Sequence, residues 1–286
     1  MKIVEGQANL DIDLPHVTAD STFEVWNKET KRYEKANYIK DTGLPSSSHV
    51  LIYYGTCGSG KTSLLTSLIT SKKKGSKVYR GVWDKIYICA SYTSMRSLAG
   101  DPFKSIPEDQ YYDEFNEAFL RDVTQKVHEN ALEDLYSCII IDDACSRLKR
   151  LADPLSNLLL THRHLKTSVH ILAQDVCQVP LSIRSNLTGG FFFKQSNAKR
   201  VQLLREEYLS FLSLDEYKKA ECYIWKKKGD TLYIKFGGLP FKYHRISDLK
   251  VRELTFHDLE NECKDLQEDG KTSPQSPSSH QVGSGW

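Results

Sequence analysis

Apolar and polar positions follow different rhythms along this chain, and the changes of rhythm mark its organisation. Thr22-Phe23-Glu24-Val25-Trp26 and Arg32-Tyr33-Glu34 alternate with period two on either side of Asn27-Lys28-Glu29-Thr30. Such stretches around a polar turn predict a hairpin or a pair of edge strands. Asp41-Thr42-Gly43-Leu44-Pro45-Ser46-Ser47-Ser48 is a loop by composition. From His49 the apolar runs become continuous, over His49–Tyr54, Lys85–Ala90, Ser137–Ile141, Ser168–Ala173 and Gly190–Phe193. Runs of this kind read as strands buried on both faces. Between them the apolar residues recur at helical spacing, most clearly over Thr62–Ser71, Phe115–Leu135 and Pro154–His164. Buried strands alternating with helices predict an α/β fold, a mostly parallel sheet with helices on both faces.

The pattern changes again near Leu214. Leu214–Glu221 reads as a helix, and Cys222-Tyr223-Ile224-Trp225 with Thr231–Lys235 reads as a hairpin turned by Lys228-Gly229-Asp230. Beyond Lys264 the chain is rich in Ser, Pro, Gln and Gly, with no apolar side chain between Leu266 and Val282. Such a segment buries too little surface to offset the entropy of ordering it, so disorder is expected. The expected organisation is N-terminal strands and linker over 1–48, a core over 49–210, a C-terminal helix and hairpin over 211–263, and a disordered tail over 264–286.

Composition narrows the classes. The 286 residues are 40% hydrophobic and 27% charged, a globular balance that excludes collagenous, mucin-like and wholly disordered chains. Lys plus Arg is 39 against 37 for Asp plus Glu, so a histone-like positive coat is excluded while a local basic patch is not. The longest apolar runs, such as Cys138–Ile141, fall far short of the ~20 residues that span a bilayer, and no membrane partner is expected. The opening Met-Lys-Ile-Val-Glu-Gly-Gln does not read as a signal peptide. Seven cysteines without a Cys-x-x-Cys pair fit reduced thiols, and His162-x-His164 lacks companions at zinc-ligand spacing.

The chemistry begins at Gly55-Thr56-Cys57-Gly58-Ser59-Gly60-Lys61-Thr62, which matches the P-loop pattern Gly-x4-Gly-Lys-Ser/Thr in full. A buried strand enters it and an amphipathic helix, starting at Ser63, leaves it. Its glycines let the backbone approach an anion, and backbone N–H groups with the helix N-terminus surround the phosphates. In that frame Lys61 neutralises the β- and γ-phosphates of ATP and the Thr62 hydroxyl goes to Mg2+, while Cys57 contributes only its backbone. Cys138-Ile139-Ile140-Ile141-Asp142-Asp143 supplies the partner element, an apolar strand ending in carboxylates. Asp142 is read as the Mg2+ acid and Asp143 as the base that polarises the attacking water. Gln174 closes the next strand. If that strand neighbours Ser137–Ile141, its amide lies near the γ-phosphate; otherwise it is a polar strand end.

Several NTPase classes lack their signatures here. There is no Asn/Thr-Lys-x-Asp or Asp-x-x-Gly element of a GTPase, and no Leu-Ser-Gly-Gly of a transporter ATPase. A nucleoside or nucleotide kinase stays open, although the arginine-rich lid such enzymes usually carry does not stand out. The series that remains is Gly55–Thr62, Ile139–Asp143, Arg163-His164 leading into Ser168–Gln174, Pro180-Leu181-Ser182-Ile183-Arg184-Ser185-Asn186, and Phe191–Phe193. It resembles the poxvirus-type genome-packaging ATPases of large DNA viruses and virophages, members of the FtsK–HerA superfamily, over roughly His49 to Phe193. The resemblance implies a RecA-like P-loop NTPase core and an ATP-driven motor, a hexameric ring that moves double-stranded DNA into a capsid. It also implies a capsid or portal-region partner, and a place in the host cytoplasm or virus factory with virion association. A ring motor asks for an arginine from the neighbouring subunit to stabilise charge on the transferring phosphoryl group. Arg163, in the Arg-His element, and Arg184, in the Ile-Arg-x-Asn element, are the two candidates. DNA contacts would go to the backbone, and Lys72-Lys73-Lys74 with Lys77 and Arg80, and Lys226-Lys227-Lys228, are available for them.

Overall fold

The continuous apolar runs fold as parallel strands because nearly all of their positions are shielded from water. The computed structural model of the protein describes residues 22–71, 78–90, 103, 106–142, 145–236, 241–248 and 250–254. In chain order the strands are β1 (Glu24–Asn27), β2 (Arg32–Lys35), β3 (Val50–Tyr54), β4 (Lys85–Cys89), β5 (Tyr111–Tyr112), β6 (Ser137–Ile141), β7 (Thr167–Ala173), β8 (Gly189–Phe193), β9 (Thr231–Lys235), β10 (Lys242–Ser247) and β11 (Lys250–Leu254). The helices are α1 (Lys61–Thr70), α2 (Glu117–Leu132), α3 (Cys145–Leu148), α4 (Ala152–Thr161), α5 (Leu181–Arg184), α6 (Ala198–Tyr208) and α7 (Leu214–Ile224). Every residue of β3, β6, β7 and β8 is buried.

Strands β3 to β11 form one sheet in the order β11-β10-β9-β8-β3-β7-β6-β4-β5. From β8 to β5 all neighbours are parallel, and β9, β10 and β11 continue the sheet antiparallel beyond β8. Alternate residues feed two cores. Val50, Ile52 and Tyr54 with Ile139, Ile141 and Val169 pack beneath α2, α4, α6 and α7. Leu51 and Tyr53 with Cys138, Ile140 and Leu172 pack beneath α1 and the N-terminal segment. The expected α/β sheet with helices on both faces is therefore the observed one.

The helix read over Pro154–His164 spans Ala152–Thr161, and two larger differences from the sequence reading have local causes. Helix α2 starts later than Phe115, because the Asn116 side chain accepts from the Phe119 amide at 2.9 Å, and it stops before Asp134 takes a left-handed φ of 65°. The hairpin expected from Cys222-Tyr223-Ile224-Trp225 does not form. Cys222, Tyr223 and Ile224 belong to α7, where Ser213 and Glu216 make a reciprocal capping box. Tyr217, Ala220, Tyr223 and Ile224 then recur at helical spacing and are buried against the core. Thr231–Lys235 is a strand, but its partners are β8 and β10. The tail expected over 264–286 lies outside the described residues.

Strands β1 and β2 pair antiparallel with each other as a separate hairpin. Phe23, Ala36 and Ile39 anchor it in the second core. Phe23 meets His49, Trp83 and Tyr136 edge to face, with centroids 5.9, 6.1 and 5.4 Å away. Behind it stand two fully enclosed histidines. His49 Nδ1 bonds the Ser47 carbonyl at 2.8 Å, and His170 Nδ1 bonds the Tyr53 hydroxyl at 2.9 Å. Burial pushes the His49 pKa down to about 3, with the Ser47 carbonyl opposing it and His162 adding to it. Burial, with His49 nearby, drives His170 well below the usual histidine range.

These rings fix the acid side of the stability profile. The unfolded chain protonates them near pH 6.5 whereas the folded chain resists, so stability falls as pH drops below 6.5. Between pH 7 and 5 the expected loss is about 2 kcal/mol from His49, with His170 acting in the same direction. Urea unfolding at the two pH values measures it, and an unchanged midpoint would contradict the assignment.

Candidate functional site

Parallel strands deliver their following loops to one edge of the sheet, where α/β proteins build their sites. Here β3 lies between β8 and β7, and β7 lies between β3 and β6. The loop after β3 runs from Gly55 to Gly60 and enters α1 through a Leu64 amide to Gly60 carbonyl bond of 2.9 Å. Gly58 and Gly60 take left-handed φ values of 70° and 105°. Gly55 is required for a different reason: a Cβ there would meet the Ser59 hydroxyl and come within 2.9 Å of Phe193 Cβ. The loop is thus wrapped tightly against the end of β8.

Lys61, the first residue of α1, is buried and curls over the loop. Its Nζ donates to the carbonyls of Gly55 at 2.6 Å and Thr56 at 3.0 Å. This sets a positive charge among the loop's neutral peptide groups. The Thr62 hydroxyl donates to Asp142 Oδ2 at 3.2 Å, so residues eighty positions apart meet at the ends of α1 and β6. Both are hard oxygen ligands of the kind Mg2+ takes. Cys57 is exposed at the loop tip, and Ser63 is exposed in the first turn of α1.

Strand β7 places Gln174. Tyr54 is in register with Ala173, and the Gly55 amide donates to the Ala173 carbonyl at 3.1 Å. Gln174 follows directly and stands level with Gly55, while β6 on its other edge brings Asp142 to the same corner. The neighbourhood on which the Gln174 reading depended is therefore present. Just beyond, Asp175 caps the Cys177 amide at 2.9 Å and pairs with Arg200 of α6 at 3.0 Å. Burial works to raise the Asp175 pKa, but the Cys177 amide and Arg200 outweigh it and hold the carboxyl below its ordinary value. Asp143 lies outside the described residues.

The two arginines are placed differently. Arg163 is exposed in the turn before β7, at the sheet edge opposite the loop. Arg184, at the end of α5, is partly buried and ion-paired with Glu207 of α6. Of the lysine runs, Lys72, Lys73, Lys74 and Lys77 lie outside the described residues. Lys226, Lys227 and Lys228 stand beside the P-loop, in a turn that shares a cavity with Thr56–Ser59. Their sequence signal, a lysine run, carried no hint of that location.

An amide-lined loop with a buried lysine, a hydroxyl–carboxylate pair and an amide side chain at one sheet edge can hold polyphosphate and a hard cation. This is a P-loop NTPase fold. No family model matches the chain. An uncharacterised protein, 088R, of Invertebrate iridescent virus 3 is 26% identical over 161 residues, 55% of this chain and 58% of that protein, so the match spans a little over half of that relative. An uncharacterised protein, 075L, of Invertebrate iridescent virus 6 is 23% identical over 77% of this chain and 84% of that protein. Among solved structures, the genome packaging NTPase B204 of Sulfolobus turreted icosahedral virus 2 in complex with AMP superposes with a TM-score of 0.51. It is 16% identical, over 69% of this chain and 96% of that one.

The loop geometry makes a paired prediction. Gly55→Ala forces an overpacked contact costing about 1–3 kcal/mol, and should lower the melting temperature by several degrees. Gly58→Asn, at a position where a Cβ meets nothing and the left-handed backbone suits Asn, should melt within a degree or two of the parent. Equal effects of the two substitutions in thermal melts would refute this packing account.

Proposed function

We propose that the chain is an ATP-hydrolysing motor that packages viral double-stranded DNA into capsids. One observation carries this reading. Strand β7 is paired to both the P-loop strand and the carboxylate strand, which supports a role for Gln174 at its end. An amide in that corner can register whether a γ-phosphate is present, as a cycle of nucleotide-driven movement requires. The viral relatives and the fold shared with B204, a packaging NTPase by name, support the same reading.

In this mechanism the amides of Gly58 to Lys61 hold the phosphates, and Lys61 moves its charge from the Gly55 and Thr56 carbonyls onto them. Thr62 and Asp142 would hold the metal, and Mg2+ would supply charge that stabilises the transferring phosphoryl group. Asp143 accepts a proton from the attacking water as its oxygen bonds to the γ-phosphorus and the bond to the bridging β–γ oxygen breaks. Gln174 orients that water. The transition state still needs a positive charge, and Arg163 and Arg184 are the two candidates for it. Arg163 sits at the edge away from its own loop, a position compatible with reaching a neighbouring subunit's pocket, and Arg184 is ion-paired with Glu207. This supports a homo-oligomeric ring, in which non-specific contacts to the DNA backbone suffice.

ATP turnover should rise several-fold with long duplex DNA and vanish in Lys61→Ala. Turnover indifferent to duplex DNA at every length would sink the motor and favour a phosphotransferase or a morphogenesis ATPase that does not act on DNA. Mixing Arg163→Ala with Asp142→Asn subunits should restore part of the activity that each lacks alone, since the first keeps a working pocket and the second a working arginine. No recovery in the mixture would place the arginine's role within one subunit.

A further inference from the structure

A loop that holds phosphates leaves a nucleoside to be housed, and among the described residues there is room for it on the β8 side. Toward β7 and β6 the corner is taken by Thr62, Asp142 and Gln174. Toward β8 a cavity of about 500 Å³ opens between Thr56–Ser59 and the facing segments Phe193–Ser196 and Trp225–Asp230. Its size falls within the range of small-molecule sites.

The cavity's chemistry is divided. Phe193 and Trp225 among its lining side chains are apolar and only 2% and 4% exposed. The Trp225 indole donates to the Phe192 carbonyl at 2.9 Å, which fixes the ring against the end of β8. Lys194, Lys226, Lys227 and Lys228 make the lining basic. The acid among them, Asp230, is 2% exposed and turned to Arg245 at 2.8 Å, so it does not cancel those lysines. Lys227 is drawn to Asp248 at 2.5 Å, and Lys226 Nζ lies 4.9 Å from the Tyr223 ring centre.

We infer that this cavity is the nucleoside subsite, and that the turn Trp225–Asp230 is its outer wall; the inference rests on the nucleotide reading of the P-loop proposed above. Phe193 and Trp225 close the floor, and the apolar stems of the lysines above them give a heteroaromatic base its contact. The lysine ammonium groups suit ribose hydroxyls and the α-phosphate. The Lys226–Lys228 run is thereby assigned to the nucleotide and not to duplex DNA. The strand and helix additions after β8 become part of the ATP site.

The test separates the nucleoside from its phosphates. ATP, ADP and inorganic triphosphate are titrated calorimetrically against the full chain and against Ser196→Trp, which fills the cavity from an exposed position outside the P-loop. The expected result is a loss of at least tenfold in ATP and ADP affinity, with inorganic triphosphate binding within twofold of the parent and an unchanged melting temperature. Lys226→Ala/Lys228→Ala should weaken ATP several-fold and leave duplex DNA binding at fixed salt unaltered. The subsite is overturned if Ser196→Trp weakens ATP and triphosphate in step or leaves both intact. It is equally overturned if the lysine pair changes DNA affinity and not ATP. A parent chain that binds neither ATP nor triphosphate removes the proposed function together with this inference, whereas a parent that binds both isolates the failure to the subsite.

Discussion

The double pairing of β7 is the constraint on which the rest depends. Its hydrogen bonds to β3 on one edge and β6 on the other set how far the P-loop stands from Asp142. A slip of one residue on either edge would turn Val169 and Ile171 toward the wrong core. The registers are therefore locked by packing on both faces, with Val169, Ile171 and Ala173 in one core and Leu172 in the other. The site inherits that rigidity. Thr62 reaches Asp142 because α1 and β6 are both anchored to a sheet that cannot shear locally.

How legible all this was depends on whether the determinants are local. The P-loop could be read directly, since its glycines, lysine and threonine act within eight consecutive residues. The buried strands were equally plain, because a run such as Cys138–Ile141 has no other stable home. The role of Gln174 was conditional on sheet order, which a parallel fold with several possible windings leaves open. Cys222–Trp225 was misread because its aromatic and apolar residues favour strands, whereas the capping box at Ser213 and the stripe through Tyr217 and Ala220 continue α7 through them. Tertiary burial overrode local preference there. The lysine turn was the least legible feature. Its position beside Thr56–Ser59 exists only because β9 returns antiparallel along β8.

The arginines show the same limit from another side. Arg163 and Arg184 flank β7 in sequence and looked equivalent. In space one is exposed at the edge away from the loop, and the other is matched by Glu207. Helix α6, which supplies Glu207, also carries Arg200, which reaches back to Asp175 next to Gln174 in the chain. Two ion pairs thus tie one helix to both segments that lie between β7 and β8. Each pair is partly shielded from solvent, so its attraction is less screened than a surface bridge's while desolvation offsets part of the gain.

The junction between β8 and β9 has a mechanical meaning. Five residue pairs, from Gly189 with Lys235 to Phe193 with Thr231, join the parallel core to its antiparallel extension. A pull directed along the strands loads these pairs in shear, so that they resist together and none peels away first. Strands β9 to β11 are in that sense a stiff lever continuous with the sheet, not a module hanging from a hinge. Any load they bear arrives undamped at the end of β8, where Phe193 supports the P-loop.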